Sequence, residues 1–470
     1  MTETGLKETL VSPAGYGSDE PIAAIATPLA PAALGVIRTS GKGAVALLAK
    51  LFSRPHALEA AKSRSLVHGW VVNPGGKAID EVLVGVFRAP HGFTGEDAAE
   101  IYCHGGIAVT TALFRLLTTH GFREALRGEF TLRAYLNGKV DLTRAEAVRE
   151  IIDAKTAEAG AHAAERLAGR LFAEIDAIKR KFVRALAAIE AEIEYPENEN
   201  ALVNSFDSGA LKDAETRLAT LCGTWAVEKV YQEGLRVVLA GKTNAGKSSI
   251  FNMLVKEERS IVSAEPGTTR DWVEAQVSFG GIPARLFDTA GIRETAGEIE
   301  REGIRRTENL VKSADVTLYV VDAEAGMNAE DAAFLRGTAG SVIALVNKAD
   351  RCGAGRAESV CAALSVPSVP FSAKTGEGVG TLADAVWAMV CGGGANPASR
   401  GGLGTERQKK AAESALDAVR HALAALEKGF APDAVAADIE EALDFLGEIT
   451  GAVTPENILE TVFSQFCLGK

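Results

Sequence analysis

Residues 241–249 read GKTNAGKSS: two glycines bracket four residues, and a lysine and two hydroxyls follow. This is the GxxxxGK[ST] spacing of a phosphate-binding loop. Backbone N–H groups bind phosphate oxygens there, so the turn must carry little side chain and open onto a helix N-terminus. In that role Asn244, Ala245 and Gly246 line the turn, and Lys247 reaches the β- and γ-phosphates. The hydroxyl of Ser248, next to Ser249, is placed for Mg²⁺. The flanks agree: LRVVLA at 235–240 is a Val/Leu-rich run of strand length, and 250–254 has helical apolar spacing.

Three downstream stretches extend the same chemistry, each closing an apolar run. LFDTAG (286–291) puts Asp288 where a carboxylate completes a metal's shell, followed by Thr289, Ala290 and Gly291, the last able to bend toward a γ-phosphate. VIALV (342–346) ends in Asn347, Lys348, Ala349 and Asp350. A carboxylate at Asp350 accepts from both the ring N–H and the exocyclic amine of guanine, a donor pair adenine lacks. Losing a buried partner costs roughly 1–3 kcal/mol, so that one group selects GTP over ATP. Ser372, Ala373 and Lys374 suit a backbone contact to the guanine carbonyl. Open α/β sheets bind ligands at the carboxyl ends of their strands, and these motifs in this order point to a GTPase. The hydrolytic equipment departs from the Ras pattern, however. Ile292 stands after DTAG, where a glutamine would orient water, and the sequence singles out no arginine finger.

A chain of 470 residues holds about two to four domains, each able to bury a core. Hydrophobic content of 47% with 24% charged residues is ordinary for a globular protein. No apolar run reaches the roughly 18 residues of a membrane span, so no membrane association is expected. The net charge of −12 excludes a protein-wide basic surface for nucleic acid, and any RNA contact is a local patch or a partner's. Cys103, Cys222, Cys352, Cys361, Cys391 and Cys467 form no CxxC pair, so neither zinc nor a disulfide framework is indicated. Residues 1–20 are polar, without a cationic-then-apolar pattern. They read as a disordered leader rather than a signal peptide, and the expected compartment is the cytoplasm.

The elements that must position the motifs fall into four stretches. Residues 21–138 read as an α+β domain, with strand character at 22–27, 34–38, 65–72, 81–88 and 99–104 and helical spacing at 43–52 and 109–120. Its polar clusters FTGED (93–97), RGEFT (127–131) and LNGKVD (136–141) read either as turns and caps or as functional loops. Residues 139–232 turn to Ala, Glu, Arg and Leu with helical spacing, and the basic 179–181 and acidic 190–199 clusters read as solvated faces. Residues 233–391 form the inserted α/β Ras-like P-loop GTPase domain. After a Gly-rich linker, 392–470 is helical again: Thr405 and Gln408 form a capping box, and Pro455 opens a last helix. The economical arrangement is one all-α domain, discontinuous in sequence, that brings the C-terminus back toward residues near 140.

These motifs, together with HGG (104–106), RGEFTLRAYLNGKVDL (127–142), PGTTRD (266–271), DTAGIRET (288–295), SAKTG and the terminal FCLGK, resemble over nearly the whole chain the tRNA-modification GTPases called MnmE or TrmE. The resemblance implies a homodimer formed through the N-terminal domain, and a heterotetramer with a flavoprotein called MnmG or GidA that carries FAD. It implies addition of a carboxymethylaminomethyl or aminomethyl group to C5 of the wobble uridine of certain tRNAs, with a folate one-carbon unit. The folate, 5-formyltetrahydrofolate or methylene-tetrahydrofolate, would be bound by Arg38, Glu100, Lys139 and Lys470. K⁺ would be held by Asn244, Ser263, Glu265 and Thr268, within a loop that also contains Ala264, Pro266 and Gly267. Mg²⁺ would be held by Ser248 and Thr269, and Glu300, nine residues past Gly291, would orient the attacking water. One departure is the stretch Ala30, Pro31, Ala32, Ala33, Leu34, Gly35, where the family has a Gly-rich loop; a stiffer loop is expected. Cys467 reads either as a thiol near the folate or as a packed, inert residue. Two other readings stand beside this one: an RNA-binding ribosome-assembly switch without covalent chemistry, and a stand-alone one-carbon transferase regulated by GTP.

Overall fold

The computed structural model describes residues 20–194, 208–257, 273–288, 309–338, 341–352, 355–392 and 401–470. The chain divides into two compact units. One comprises Met1–Arg149, Arg166–Leu218 and Lys410–Lys470; the other comprises Glu150–Glu165 and Ala219–Lys409.

The first unit begins with β1 (Ile22–Ile25), β2 (Ala32–Ser40), α1 (Ala44–Ala49), α2 (Pro55–Glu59), β3 (Ser65–Val72) and β4 (Ala78–Phe87). It continues with β5 (Ala98–Gly105), α3 (Ile107–Thr119), β6 (Arg123–Glu124) and α4 (Glu129–Leu136). The strands form a sheet in the order β3-β4-β5-β2-β1-β6. Its core lies on one face, where Ile37, Val84 and Ile101 meet Val45 and Leu48 of α1 and Leu113 of α3. Strand alternation sends the intervening residues outward, and Leu34, Leu66, Trp70 and Leu83 are more than two-fifths exposed there. The stretch expected as a stiff loop is a loop only as far as Pro31: β2 begins at Ala32 and pairs with β5, with a bulge between Ala32 and Leu34. Glu20, assigned to the leader, is anchored, its carboxylate 3.0 Å from Arg123 and its carbonyl accepting from Arg133.

The cluster RGEFT, readable as a turn, ends its turn at Gly128 and enters α4. Gly128 has φ of 70°, and a Cβ there would lie 2.5 Å from the Phe463 carbonyl, so both backbone angle and space exclude a side chain. Helices α5 (Leu142–Asp153), α6 (Ala157–Leu167), α7 (Arg170–Glu194) and α8 (Ser208–Glu233) follow, as the helical periodicity requires.

The second unit is built on β7 (Leu235–Gly241), α9 (Lys247–Glu257), β8 (Val273–Phe279), β9 (Ile282–Asp288), β10 (Val316–Asp322) and α10 (Ala329–Gly337). Beyond these lie β11 (Val342–Asn347), α11 (Arg356–Ala362), β12 (Ser368–Pro370) and α12 (Val379–Cys391). The strand order is β12-β11-β10-β7-β9-β8, parallel throughout except for β8. Its central strands β10 and β11 read as unbroken apolar runs because both their faces are covered. The core does not stop where the composition changes near residue 232. Ala159 of α6 and Val227 and Tyr231 of α8 pack with Val237, Leu239 and Ile282. Behind them a buried His162–Glu228 pair at 3.0 Å also accepts the Gly402 N–H. At the expected capping box the Gln408 N–H donates to Thr405 Oγ1 at 3.2 Å, and Gln408 Oε1 accepts from the Gly404 N–H at 2.7 Å.

Helices α13 (Glu406–Glu427), α14 (Pro432–Thr450) and α15 (Glu456–Ser464) end the chain. In the first unit α14 packs on α7, and α15 lays Leu459, Phe463 and Phe466 against Leu132, Tyr135 and Leu142. This is the return toward residue 140 that the discontinuous helical pattern demands. Among the described residues every cysteine is free, and no helix is long and apolar enough to cross a membrane.

Candidate functional site

The loop after β7 has a tightly constrained backbone. Asn244 sits at φ 61° and Gly246 at φ 104°, and a Cβ on Gly246 would fall 2.1 Å from Asn347 Nδ2. Only glycine satisfies both the left-handed angle and the close approach. Lys247, the first residue of α9, is buried and donates to the Gly241 and Lys242 carbonyls at 2.7 and 2.8 Å. Burial lowers its ammonium below the usual lysine range, against the pull of Asp288. The buried charge therefore sits beside loop N–H groups and a helix N-terminus, where an anion would relieve it.

The neighbouring strand ends supply the rest. Ser248 Oγ donates to Asp288 Oδ2, 3.1 Å away at the end of β9. A hydroxyl and a carboxylate so placed form a hard oxygen pair suited to Mg²⁺. Asn347, buried at the end of β11, donates to the Ala245 carbonyl at 2.9 Å and accepts from the Ala373 N–H at 3.1 Å, so one side chain ties the phosphate loop to the SAK segment. Ser372 Oγ donates to Asp350 Oδ1 at 2.8 Å, which fixes that carboxylate. Lys348, at φ 67°, pairs with Asp322 at 2.6 Å. Burial pushes Asp322 up, but the Lys348 hydrogen bond and the backbone N–H groups outweigh it and hold the carboxyl below its usual range. Asn244 is exposed on the loop and offers a side-chain carbonyl oxygen. Its expected companions Ser263, Ala264, Glu265, Pro266, Gly267, Thr268 and Thr269 lie outside the described residues, as do Thr289, Ala290, Gly291, Ile292 and Glu300.

A second constellation occupies the first unit. Arg38 on β2 lies in register with Glu100 on β5, and its Nε donates to Glu100 Oε1 at 3.0 Å. Arg38 Nη1 donates to the Gly469 carbonyl at 3.3 Å. The guanidinium lies over two rings, 5.5 Å from the centroid of Phe93 and 5.4 Å from that of Phe130. Tyr102 donates to Glu100 Oε2 at 2.7 Å; burial and this bond push the phenol up to about 12. The chain end is drawn in as the Phe130 N–H donates to the Lys470 carbonyl at 3.2 Å. The Lys470 ammonium is lowered by burial first and by Arg38 second, against Glu100 and Cys467. Arg38, Glu100 and Lys470 are thus brought together. Lys139 reaches the same region by another route, donating to the Pro90 carbonyl at 2.9 Å and running its stem past Gly95. Cationic groups, a carboxylate and aromatic faces are a donor set matched to a folate, which has a glutamate tail, amide-like donors and a flat ring. Sequence reasoning missed the two rings. Their signal was present, a lone Phe in each of the polar clusters FTGED and RGEFT.

With this geometry in place, known proteins give the following comparisons. The family model for the GTP-binding protein TrmE N-terminus matches residues 21–139, and that for the MnmE helical domain matches residues 142–467. The tRNA modification GTPase MnmE of Treponema denticola is 44% identical over 467 residues, spanning 97% of this chain and 99% of its own. The protein of that name from Moorella thermoacetica is 39% identical over 464 residues, spanning 96% and 100%. Among solved structures, a point variant of Aquifex aeolicus Era bound to GDP·AlF4⁻ is 24% identical and covers 39% of this chain and 66% of its own, at a TM-score of 0.28.

Proposed function

The chain belongs to the MnmE family of tRNA modification GTPases, and on that premise we propose that it hydrolyses GTP to drive a folate-dependent modification of the wobble uridine of tRNA. It is a GTPase, and tRNA modification is the process that family serves. The observation that carries the nucleotide half is the convergence at three strand ends: Lys247 and Ser248 after β7, Asp288 closing β9, and Asn347 between Ala245 and Ala373. In this reading Lys247 and the loop amides of Asn244, Ala245, Gly246, Ser248 and Ser249 bind the phosphates. Asp350, held by Ser372 and followed in the pocket by Ala373 and Lys374, selects guanine, and Asn347, Lys348 and Ala349 form the adjoining wall. Ser248 and Thr269 bind Mg²⁺ with Asp288 in its shell. Asn244, with Ser263, Glu265 and Thr268, binds K⁺, which supplies positive charge to the phosphates in place of an arginine; Glu300 orients water.

Arg38, Glu100 and Lys470, with Lys139 from the side, bind the reduced folate that supplies the one-carbon unit. Support comes from the guanidinium over two aromatic rings, the desolvated ammonium and the shared carboxylate. The exposed apolar sheet face of Leu34, Leu66, Trp70 and Leu83 is the surface on which two copies pair, since so many large hydrophobes on one side of a sheet mark an interface. A flavoprotein partner of the MnmG or GidA kind, bearing FAD, completes the assembly, which works in the cytoplasm.

The deciding experiment is mass spectrometry of wobble uridine in tRNA from a deletion strain complemented with this chain. The wild type restores the modified uridine only when the flavoprotein is present, and Asp350→Asn fails to restore it. Restoration without the flavoprotein points to a stand-alone transferase, and normal uridine modification in the uncomplemented deletion strain points to an assembly switch.

A further inference from the structure

The two rings around Arg38 come from separate segments, Phe93 from the loop at 89–97 and Phe130 from α4. Arg133, one turn beyond Phe130 and buried, touches both segments. Its Nη1 is 3.1 Å from Oε2 of Glu96, on the loop of Phe93, and its Nη2 is 2.9 Å from Oε1 of Glu129 on its own helix. Glu96 also accepts from Ser40 Oγ at 2.8 Å, two residues past Arg38 on β2, and Ser40 Oγ lies 2.6 Å from Thr94 Oγ1. On the other side Arg133 Nη2 donates to the Glu20 carbonyl, and Arg123 pairs with Glu129 at 2.5 Å.

The buried centre of this network, Arg133 with Glu129, gains little stability, because desolvation offsets the Coulomb attraction and an apolar replacement is often equally stable. What it offers is fixed geometry, since a planar guanidinium engages two carboxylates at set angles where an ammonium cannot. We infer that Arg133 is a positioning residue for ligand binding at Arg38: its fork sets the separation of Phe93 and Phe130 and so holds the Arg38 guanidinium on Glu100. This rests on the reading of Arg38 as a contact for the reduced folate. Phe93 is 37% exposed and Phe130 only 2%, so the outer ring is the one that depends on its loop being tied down.

The test uses the full chain, labelled with ¹⁵N. The Arg38 Nε–H resonance is identified by its loss in Arg38→Lys, and its exchange with water is measured. Arg133→Lys keeps the charge but loses the fork. It is expected to speed that exchange at least about tenfold and to weaken 5-formyltetrahydrofolate binding, read by calorimetry, by a similar factor. In the Arg38→Lys background the same substitution is expected to add nothing further, because it acts through Arg38. Unchanged Nε–H exchange overturns the proposal whatever the folate does, and so do additive losses in the double variant. Folate binding unaffected by Arg38→Lys overturns the reading of the ligand instead, and the exchange measurement still decides the role of Arg133. If Arg133→Lys does not fold, Glu96→Gln removes the same tie with little change of volume and is expected to shift exchange in the same direction; no shift there overturns the proposal.

Discussion

The phosphate loop of the second unit and the Arg38 site of the first are built on opposite plans around the same device. Each keeps a lysine whose ammonium burial has lowered, Lys247 in one and Lys470 in the other. Around Lys247 the walls are backbone: glycine angles, carbonyls and strand ends, all within short contiguous motifs. Around Arg38, beside Lys470, they are side chains and one carbonyl drawn from positions 93, 100, 130 and 469. Both sites therefore hold positive charge at a cost that an anionic ligand removes, but only the first can be read as a motif. A backbone site tolerates almost no change in its glycines. A side-chain site should fail in smaller steps.

The largest expected effect breaks the comparison at its cation. The sequence singles out no arginine finger for the nucleotide site, which on the proposed reading takes its extra positive charge from K⁺ in solution, whereas the Arg38 site carries its own. Replacing KCl by matched NaCl should slow GTP turnover steeply, toward the ~10³ that such a charge contributes elsewhere. Equal steady-state rates in the two salts would remove K⁺ from the site.

Next comes Gly246→Ala. The added methyl lies 2.1 Å from Asn347 Nδ2 and forces a residue with a Cβ to φ 104°. Left-handed backbone alone costs about 1–2 kcal/mol, so with the clash the affinity for a fluorescent GTP analogue should fall by at least about 100-fold. A loss under a few-fold would mean that the loop moves freely and is not the rigid half of the comparison.

A smaller, stepwise loss is expected from Arg38→Ala, with reduced-folate affinity down about 10–100-fold, the cost of one charged hydrogen-bonding partner. Unchanged binding in calorimetry would shift the folate elsewhere in the first unit.

The smallest effect concerns Lys470. A lysine lowered in the folded state is less protonated there than in the unfolded chain, so its charge opposes folding below the lowered value. That opposition fades as pH rises toward 10.5. Lys470→Gln should therefore raise Tm slightly near pH 7, by about 1 °C, while weakening folate. The gain should shrink as the pH approaches 10. A lowered Tm at pH 7 would show that the ammonium is favourably paired and that the likeness to Lys247 is false.

The same contrast explains how much of the molecule was legible. Strand runs ending in GKTNAGKS, DTAG and NKAD, with SAK after a further apolar stretch, announce themselves because phosphate and guanine demand particular residue types at fixed spacing. Arg38 and Glu100 are 62 residues apart and meet only through the register of β2 and β5, which no local pattern encodes. Helix α4 hides because its buried residues include Glu129 and Arg133, so the apolar periodicity that reveals a helix is overwritten by ion pairs. Packing at the upstream edge of the second unit is hidden for a related reason. Composition changes near 232, yet Val227 and Tyr231 continue the α/β core one helix upstream. Ahead of the strand expected from Leu34, the residues Ala30 to Ala33 carry no strand signal, being alanines and a proline; pairing with β5 recruits them from Ala32 onward.

The bond from Arg38 to the Gly469 carbonyl spans 431 residues and so has a consequence in time as well as space. At roughly 5–20 residues per second a ribosome needs roughly 20–90 s to travel from one partner to the other. Throughout that interval the α4 surface around Leu132 and Tyr135 waits without Phe463, and Phe130 waits without the Lys470 carbonyl. The second unit is meanwhile fully synthesised. A nascent chain stalled after residue 409 carries every residue of the GTP-hydrolysing unit but none of the closing segment. Completion of the Arg38 cluster is thus a checkpoint on synthesis, passed only once the segment carrying Gly469 has left the ribosome.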